Sequence, residues 1–177
     1  MAHQSAIFAA GCFWCIESSF NRLAGVQKAV SGYCGGQQDD ADYRSVCSGL
    51  TDHAEAVLVE FDDSIISYQT LLDIFFFLHD PTQLNRQGND IGRQYRSAIF
   101  YLSEPQKKQA QLKIDELEKS GLYQQKIVTE LAPAEPFYPA EDYHQGYFDN
   151  NQNQAYCQIL IAPKMKKFSE QFSELLK

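Results

Sequence analysis

Apolar positions change their period several times along the chain, and each change marks an element. Ser5–Ala10 is a short continuous apolar run that reads as a buried strand, with Gly11 as the turn after it. Glu17, Ser18, Phe20, Asn21 and Leu23 fit one to two helical turns ending near Gly25. Val26–Tyr33 has strand composition, with Gly32 near its end and Gly35-Gly36 just beyond, and 37–52 is polar enough to be a long loop. Ala54–Phe61 alternates, placing Val57, Val59 and Phe61 on one face of a strand. Positions 67–79 carry Tyr68, Leu71, Leu72, Phe75 and Leu78 at helical spacing behind Ser67 as the cap. A second polar loop, 80–94, opens with Asp80-Pro81. Ser97–Leu102 reads as a strand, and Ser103-Glu104-Pro105 starts a helix that runs to about Ser120 and stops at Gly121. Beyond it come a strand at Ile127–Leu131, a stretch broken by Pro133, Pro136 and Pro139, and a short helix within 140–150. Ile159-Leu160-Ile161 is a candidate strand, and Phe168, Phe172 and Leu175 stripe a last amphipathic helix.

The order β-α-β-β-α-β predicts an α+β fold. Its core is a two-layer split β-α-β (ferredoxin-like) unit with a mixed sheet, helices on one face and long irregular rim loops. At 177 residues the chain fits a single domain over 1–177, with the core at about 5–162 and a terminal helix at about 163–177. The formal net charge of −8 argues against nucleic acid or an anionic membrane as a partner. Residues 1–10 lack the cationic start and apolar run of a signal peptide, and no apolar stretch is long enough to span a bilayer. Five cysteines, an odd number without the spacing of a secreted framework, point to working thiols in a reducing compartment, the cytoplasm.

Candidate chemistry concentrates at Gly11-Cys12-Phe13-Trp14-Cys15, where a thiol and the sole tryptophan meet a strand-to-helix junction. A cysteine opening a helix lies beside unpaired N–H groups and the positive end of the dipole, which favours thiolate over thiol. Phe13 and Trp14 are residue types usually found in a core, but next to Cys12 they can wall a pocket. The spacing of Cys12 and Cys15 suits a disulfide, although a small buried hydrophobe is the commoner fate of such a cysteine. Glu55 falls on the face of Val57 and Val59, where a carboxyl is costly unless paired or protonated. A frayed strand end with Glu55 in water is the alternative, and the pattern alone favours it. His53 has no companion at metal-ligand spacing, so no metal site is expected. Tyr43, Asp90 and Tyr95, in or beside the two loops, can together surround one substrate atom with hydrogen-bonding groups, whereas any one alone reads as a solvated loop residue.

Eight ordered motifs resemble the A-type peptide methionine sulfoxide reductases. They are Gly11-Cys12-Phe13-Trp14 with Glu17, Gly32-Tyr33-x-Gly35-Gly36, Tyr43-Arg44-x-x-Cys47-Ser48-Gly49 and His53-Ala54-Glu55-Ala56-Val57. His79-Asp80-Pro81-Thr82, Arg86-Gln87-Gly88-Asn89-Asp90-x-Gly92, Gln94-Tyr95-Arg96-Ser97 and Pro136-Phe137-Tyr138-x-Ala140-Glu141-x-Tyr143-His144-Gln145 complete the set. With the flanking strands they cover about 5–162.

The resemblance implies a single catalytic domain that reduces the S epimer of methionine sulfoxide, free or in oxidised proteins. It implies Cys12 as nucleophile, Glu55 as acid, Tyr43, Asp90 and Tyr95 as surrounding polar groups, and Phe13 and Trp14 around the S-methyl group. It also implies a cysteine sulfenic acid that a second thiol converts to a disulfide, with thioredoxin as reductant and no bound cofactor. Separately, the loop-rich rim and the absence of an obvious sticky edge point to a monomer. Cys157 matches the C-terminal resolving motif, and Cys15 is the alternative resolver. Cys34 and Cys47 are read as non-catalytic. Two rivals remain at this stage: a thioredoxin-like disulfide oxidoreductase using Cys12-x-x-Cys15, which lacks the Gly-Pro between its cysteines, and a zinc-stabilised module, which lacks a second close cysteine pair.

Overall fold

The computed structural model describes residues 3–177. Strands β1 (His3–Ala10), β2 (Val26–Cys34) and β3 (Ala54–Asp62) form its centre, with helix α1 (Phe13–Asn21) between the first two. Helix α2 (Tyr43–Cys47) lies in the first long loop, and α3 (Tyr68–Phe77) follows β3 with Ser67 capping it through the Thr70 N–H. The second long loop holds a two-residue hairpin, β4 (Arg86–Gln87) and β5 (Asp90–Ile91), before β6 (Ser97–Tyr101) and helix α4 (Glu104–Lys119). Short strands β7 (Glu130–Pro133) and β8 (Phe137–Pro139), helix α5 (Tyr147–Asn150) and helix α6 (Ala162–Gln171) complete the chain.

Six strands make one sheet in the order β7-β6-β1-β3-β2-β8. The four central strands run antiparallel to one another, as a split β-α-β core requires, and the parallel β6–β7 pair makes the sheet mixed. Both edge strands carry proline, which edges tolerate because an outward-facing N–H is not needed there. Alternation divides the two faces. Phe8, Tyr33, Val57, Val59, Phe61 and Ile99 point to the helices, whereas Ile7, Cys34, Ala54, Ala56, Ala98 and Phe100 form a smaller cluster behind. Phe8 stacks on Phe20, Tyr68 and Phe75 at centroid distances of 5.4, 5.9 and 5.2 Å, clamping α1 and α3 onto β1. Truncating such a ring costs about 3–5 kcal/mol.

Helix α6 packs Met165 and Phe168 into the same core, where Ser19 of α1 approaches the Met165 sulfur at 3.2 Å. The last residues are tied back as well: Ala24 N–H donates to Leu175 O and Lys177 N–H to Arg22 O. Two local expectations are corrected. Ile159–Ile161 is not a strand but part of a π-helical turn, Cys157–Ile161, that runs into α6. Three apolar residues carry no usable period, and Pro163 fits the first turn of the helix that continues from them. The strand expected at Ile127–Leu131 lies at β7 instead, where parallel pairing with β6 sets its limits.

Candidate active site

Gly11 turns the chain from β1 into α1 with φ at +85°, a backbone conformation that glycine adopts without a Cβ penalty. A Cβ there would also meet the Gln87 side chain at 2.9 Å. Cys12 is therefore held as the extended residue preceding α1, with Phe13 the first helical residue. The first N–H groups of a helix have no partner inside it. Here the Phe13 N–H donates to Glu55 Oε1 at 3.2 Å, which joins the helix mouth to β3.

Glu55 lies opposite Tyr33 in the β2–β3 register, on the helix-facing side of the sheet, and is only 2% exposed. Burial raises its pKa to about 8, against the opposing pull of the Phe13 N–H, and Asp90 adds to the rise. The carboxyl is accordingly neutral through most of the neutral range. Placing Glu55 in water at a frayed strand end, the reading favoured by pattern alone, is thus corrected, because the strand pairs fully from Ala54.

Tyr43 opens α2 behind Asp42, whose carboxylate accepts the Ser45 N–H. Tyr43 and Tyr95 both lie near the Cys47 thiol, and both feel the charge of Glu55. Desolvation pushes both phenols well above their ordinary range, so they stay uncharged donors. Asp90, on β5, accepts the Tyr156 hydroxyl at 2.5 Å. Tyr156 also lines a small cavity together with Cys12 and is close enough to pull the thiol pKa down. The structure thus brings Cys12, Glu55, Tyr43, Tyr95 and Asp90 within electrostatic reach of one another.

Phe13 and Trp14 behave differently from each other. Phe13 is buried against Tyr33 and His144 at 5.7 and 5.3 Å. Trp14 is half-buried, stacked on Tyr147 at 3.9 Å and met edge-on by Tyr156 at 5.8 Å.

The thiolate expected at Cys12 is corrected. Burial raises the Cys12 pKa well above its ordinary value, and the charge of Glu55 raises it further, overriding hydrogen bonds from the Trp14 N–H and Tyr156. A local dipole is outweighed by loss of solvent. The second influence operates only while Glu55 is ionised, so a protonated Glu55 removes it. Cys15, buried, shares a small cavity of about 20 Å³ with Cys12, Asp90 and Tyr156. Cys157 is fully buried in the π-helical turn, one residue beyond Tyr156. All five cysteines are free thiols.

Several residues were not singled out by sequence reasoning. Tyr156 is one. Glu141 is another: it accepts the Tyr33 hydroxyl at 2.8 Å and the Tyr43 N–H at 3.0 Å. Although burial pulls its pKa up, these bonds hold the carboxyl below its usual range. His144 accepts the Trp14 indole N–H at 3.0 Å. Glu141 and His144 stand within the last of the eight motifs and Tyr156 beside Cys157, so the signal existed, but partners 66 to 130 residues apart could not be read from it. Among the described residues, no group of three or more His, Cys, Asp or Glu side chains is arranged to hold a metal, and no helix is long and apolar enough to cross a membrane.

Residues 4–176 match the family model described as peptide methionine sulfoxide reductase. The chain is 53% identical over 174 residues to the peptide methionine sulfoxide reductase MsrA of Pasteurella multocida, covering 98% of this chain and 99% of that one. Its fold is similar to the crystal structure of Mxr1 from Saccharomyces cerevisiae in reduced form, with a TM-score of 0.78 and 35% identity over 88% of this chain and 90% of that chain. A crystal structure of Mxr1 in complex with Trx2 also matches, with a TM-score of 0.54 and 28% identity over 82% and 85% of the two chains.

Proposed function

The chain belongs to the peptide methionine sulfoxide reductase family and is a peptide-methionine (S)-S-oxide reductase, and we propose that Cys12 is its nucleophile and Glu55 its proton donor. A sulfoxide sulfur is electrophilic, but its oxygen is a poor leaving group until protonated. The observation that carries this reading is a neutral, buried Glu55 hydrogen-bonded to the N–H that follows Cys12. As the Cys12 sulfur attacks, the proton of Glu55 passes to the sulfoxide oxygen and the thiol proton replaces it on the Glu55 carboxylate, while the uncharged hydroxyls of Tyr43 and Tyr95 donate to that oxygen as charge develops. Methionine leaves and the oxygen remains on Cys12 as a sulfenic acid. Asp90 holds Tyr156 beside Cys12, and Trp14 with Phe13 walls the methyl group.

Reduction of the enzyme requires a second thiol. Cys157 attacks the Cys12 sulfenic acid, releasing water and leaving a disulfide, and a dithiol of thioredoxin type then returns both sulfurs to thiols. In support, Tyr156, the immediate neighbour of Cys157, lines the same small cavity as Cys12. A second reading has its own support, since Cys15 shares a cavity with Cys12 and lies one helical turn away. Working thiols suit a reducing compartment, and we place the enzyme in the cytoplasm as a monomeric, single-domain catalyst acting on free or protein-bound sulfoxide.

Peptide mapping after exposure to methionine S-sulfoxide without reductant tests the scheme. A Cys12–Cys157 disulfide is expected; a Cys12–Cys15 disulfide makes Cys15 the resolver. If Cys12→Ser still releases methionine, the nucleophile is assigned wrongly.

A further inference from the structure

Trp14 is the chain's sole tryptophan, and its plane and its rotation within that plane are fixed by different contacts. Stacking on Tyr147 at 3.9 Å with 13° between planes sets the plane. Dispersion between stacked rings has little directionality, so the indole can still turn and slide over Tyr147. The edge-on Tyr156 ring at 5.8 Å limits that movement, and a directional bond fixes which edge of the indole faces Cys12. The indole offers one such group, its N–H, and that N–H donates to His144 Nδ1 at 3.0 Å.

His144 is itself firmly held. It is 1% exposed and lies 4.3 Å from the Tyr43 ring, 4.2 Å from Tyr143 and 5.3 Å from Phe13. Its backbone N–H closes a tight turn on Glu141 O at 2.9 Å. An indole nitrogen can only donate, so Nδ1 of the neutral imidazole is the acceptor and Nε2 carries the hydrogen. That Nε2 is buried and has no partner. The ring forgoes one hydrogen bond and keeps the one to Trp14, so no second partner dictates its orientation.

We propose that His144 is the positioning residue of the methyl pocket: by accepting the indole N–H it locks Trp14 in place and so sets which alkyl groups on the sulfoxide sulfur the enzyme accepts. The inference rests on the reading of Trp14 as a wall of the substrate site. His144→Phe keeps an aromatic ring but removes the acceptor, whereas His144→Asn offers Oδ1 near the position of Nδ1. Two readouts apply. One is emission and acrylamide quenching of the single tryptophan, which report its hydrogen bond and mobility directly. The other is kcat and KM for the S-epimers of methionine sulfoxide and ethionine sulfoxide, which differ by one methylene.

In His144→Phe the emission should shift and quenching should rise. KM for methionine sulfoxide should increase roughly tenfold with kcat less affected, and the preference for methyl over ethyl should shrink toward unity, since one methylene in a shaped pocket is worth about 10–200-fold. His144→Asn should restore emission and preference together. Unchanged emission, or an equal loss on both substrates with emission unchanged, overturns the proposal, as does failure of His144→Asn to restore either readout while remaining folded by urea denaturation. Trp14→Phe separates the underlying reading: if the methyl preference survives there, Trp14 is not the wall, whatever the emission of the His144 variants reports.

Discussion

The two halves of the proposed reaction occupy parts of the molecule built in opposite ways. Glu55 and its neighbour Tyr33 sit in register on β3 and β2, with paired strands on both sides. Tyr156 and Cys157 sit outside the sheet, after the exposed stretch 152–155, in a turn whose backbone bonds are local. A proton donor must stay neutral, so it needs a fixed, dry environment, and long-range pairing supplies one. A resolving thiol must reach a sulfur it does not touch at rest, so it belongs on a segment that opens without disturbing the sheet. π-helical turns recur at functional sites for a related reason, because their bonding is easily rearranged.

Cys157→Ser puts the comparison to its hardest test. The variant should release one methionine per enzyme at a normal rate, then stall, with multiple turnover supported by thioredoxin falling to background. Normal recycling would shift resolution to Cys15 and dissolve the division between a fixed half and a moving half.

Glu55→Gln should cost roughly 10²–10⁴ in the first step, measured as the rate of methionine release, because an amide donates a hydrogen bond but transfers no proton. The pH dependence sharpens this. A donor whose carboxyl titrates at about 8 is competent below that pH and lost above it, so the first-step rate should fall as pH rises through about 8. That limb should vanish in Glu55→Gln, and its persistence there would assign it to another group.

Tyr156→Phe probes the seam between the halves by removing the hydroxyl that donates to Asp90 in the cavity beside Cys12. A loss of a few-fold in the first step is expected, with faster disulfide formation as the turn is released, followed by quenched mapping of the two cysteines over time.

What the sequence made legible follows the same line. The central strands announced themselves by alternation, and the placing of Glu55 on the face of Val57 and Val59 was readable for that reason. Capping by Ser67 and Ser103 was readable because it is local. Contacts closed by tertiary structure were not. Tyr33 and Glu141 meet across 108 residues, and Trp14 and His144 across 130. The protonation of Cys12 belongs to this class too, since a helix-dipole argument sees the neighbouring peptides but not the protein that displaces water.

One contact in the core bears on how such an enzyme survives its own working conditions. Of the two methionines in the chain, one is the first residue and the other is Met165, 3% exposed with its thioether against the Ser19 hydroxyl. An oxidant that damages other proteins finds almost no thioether to attack inside this one, so the repairer seldom becomes its own client.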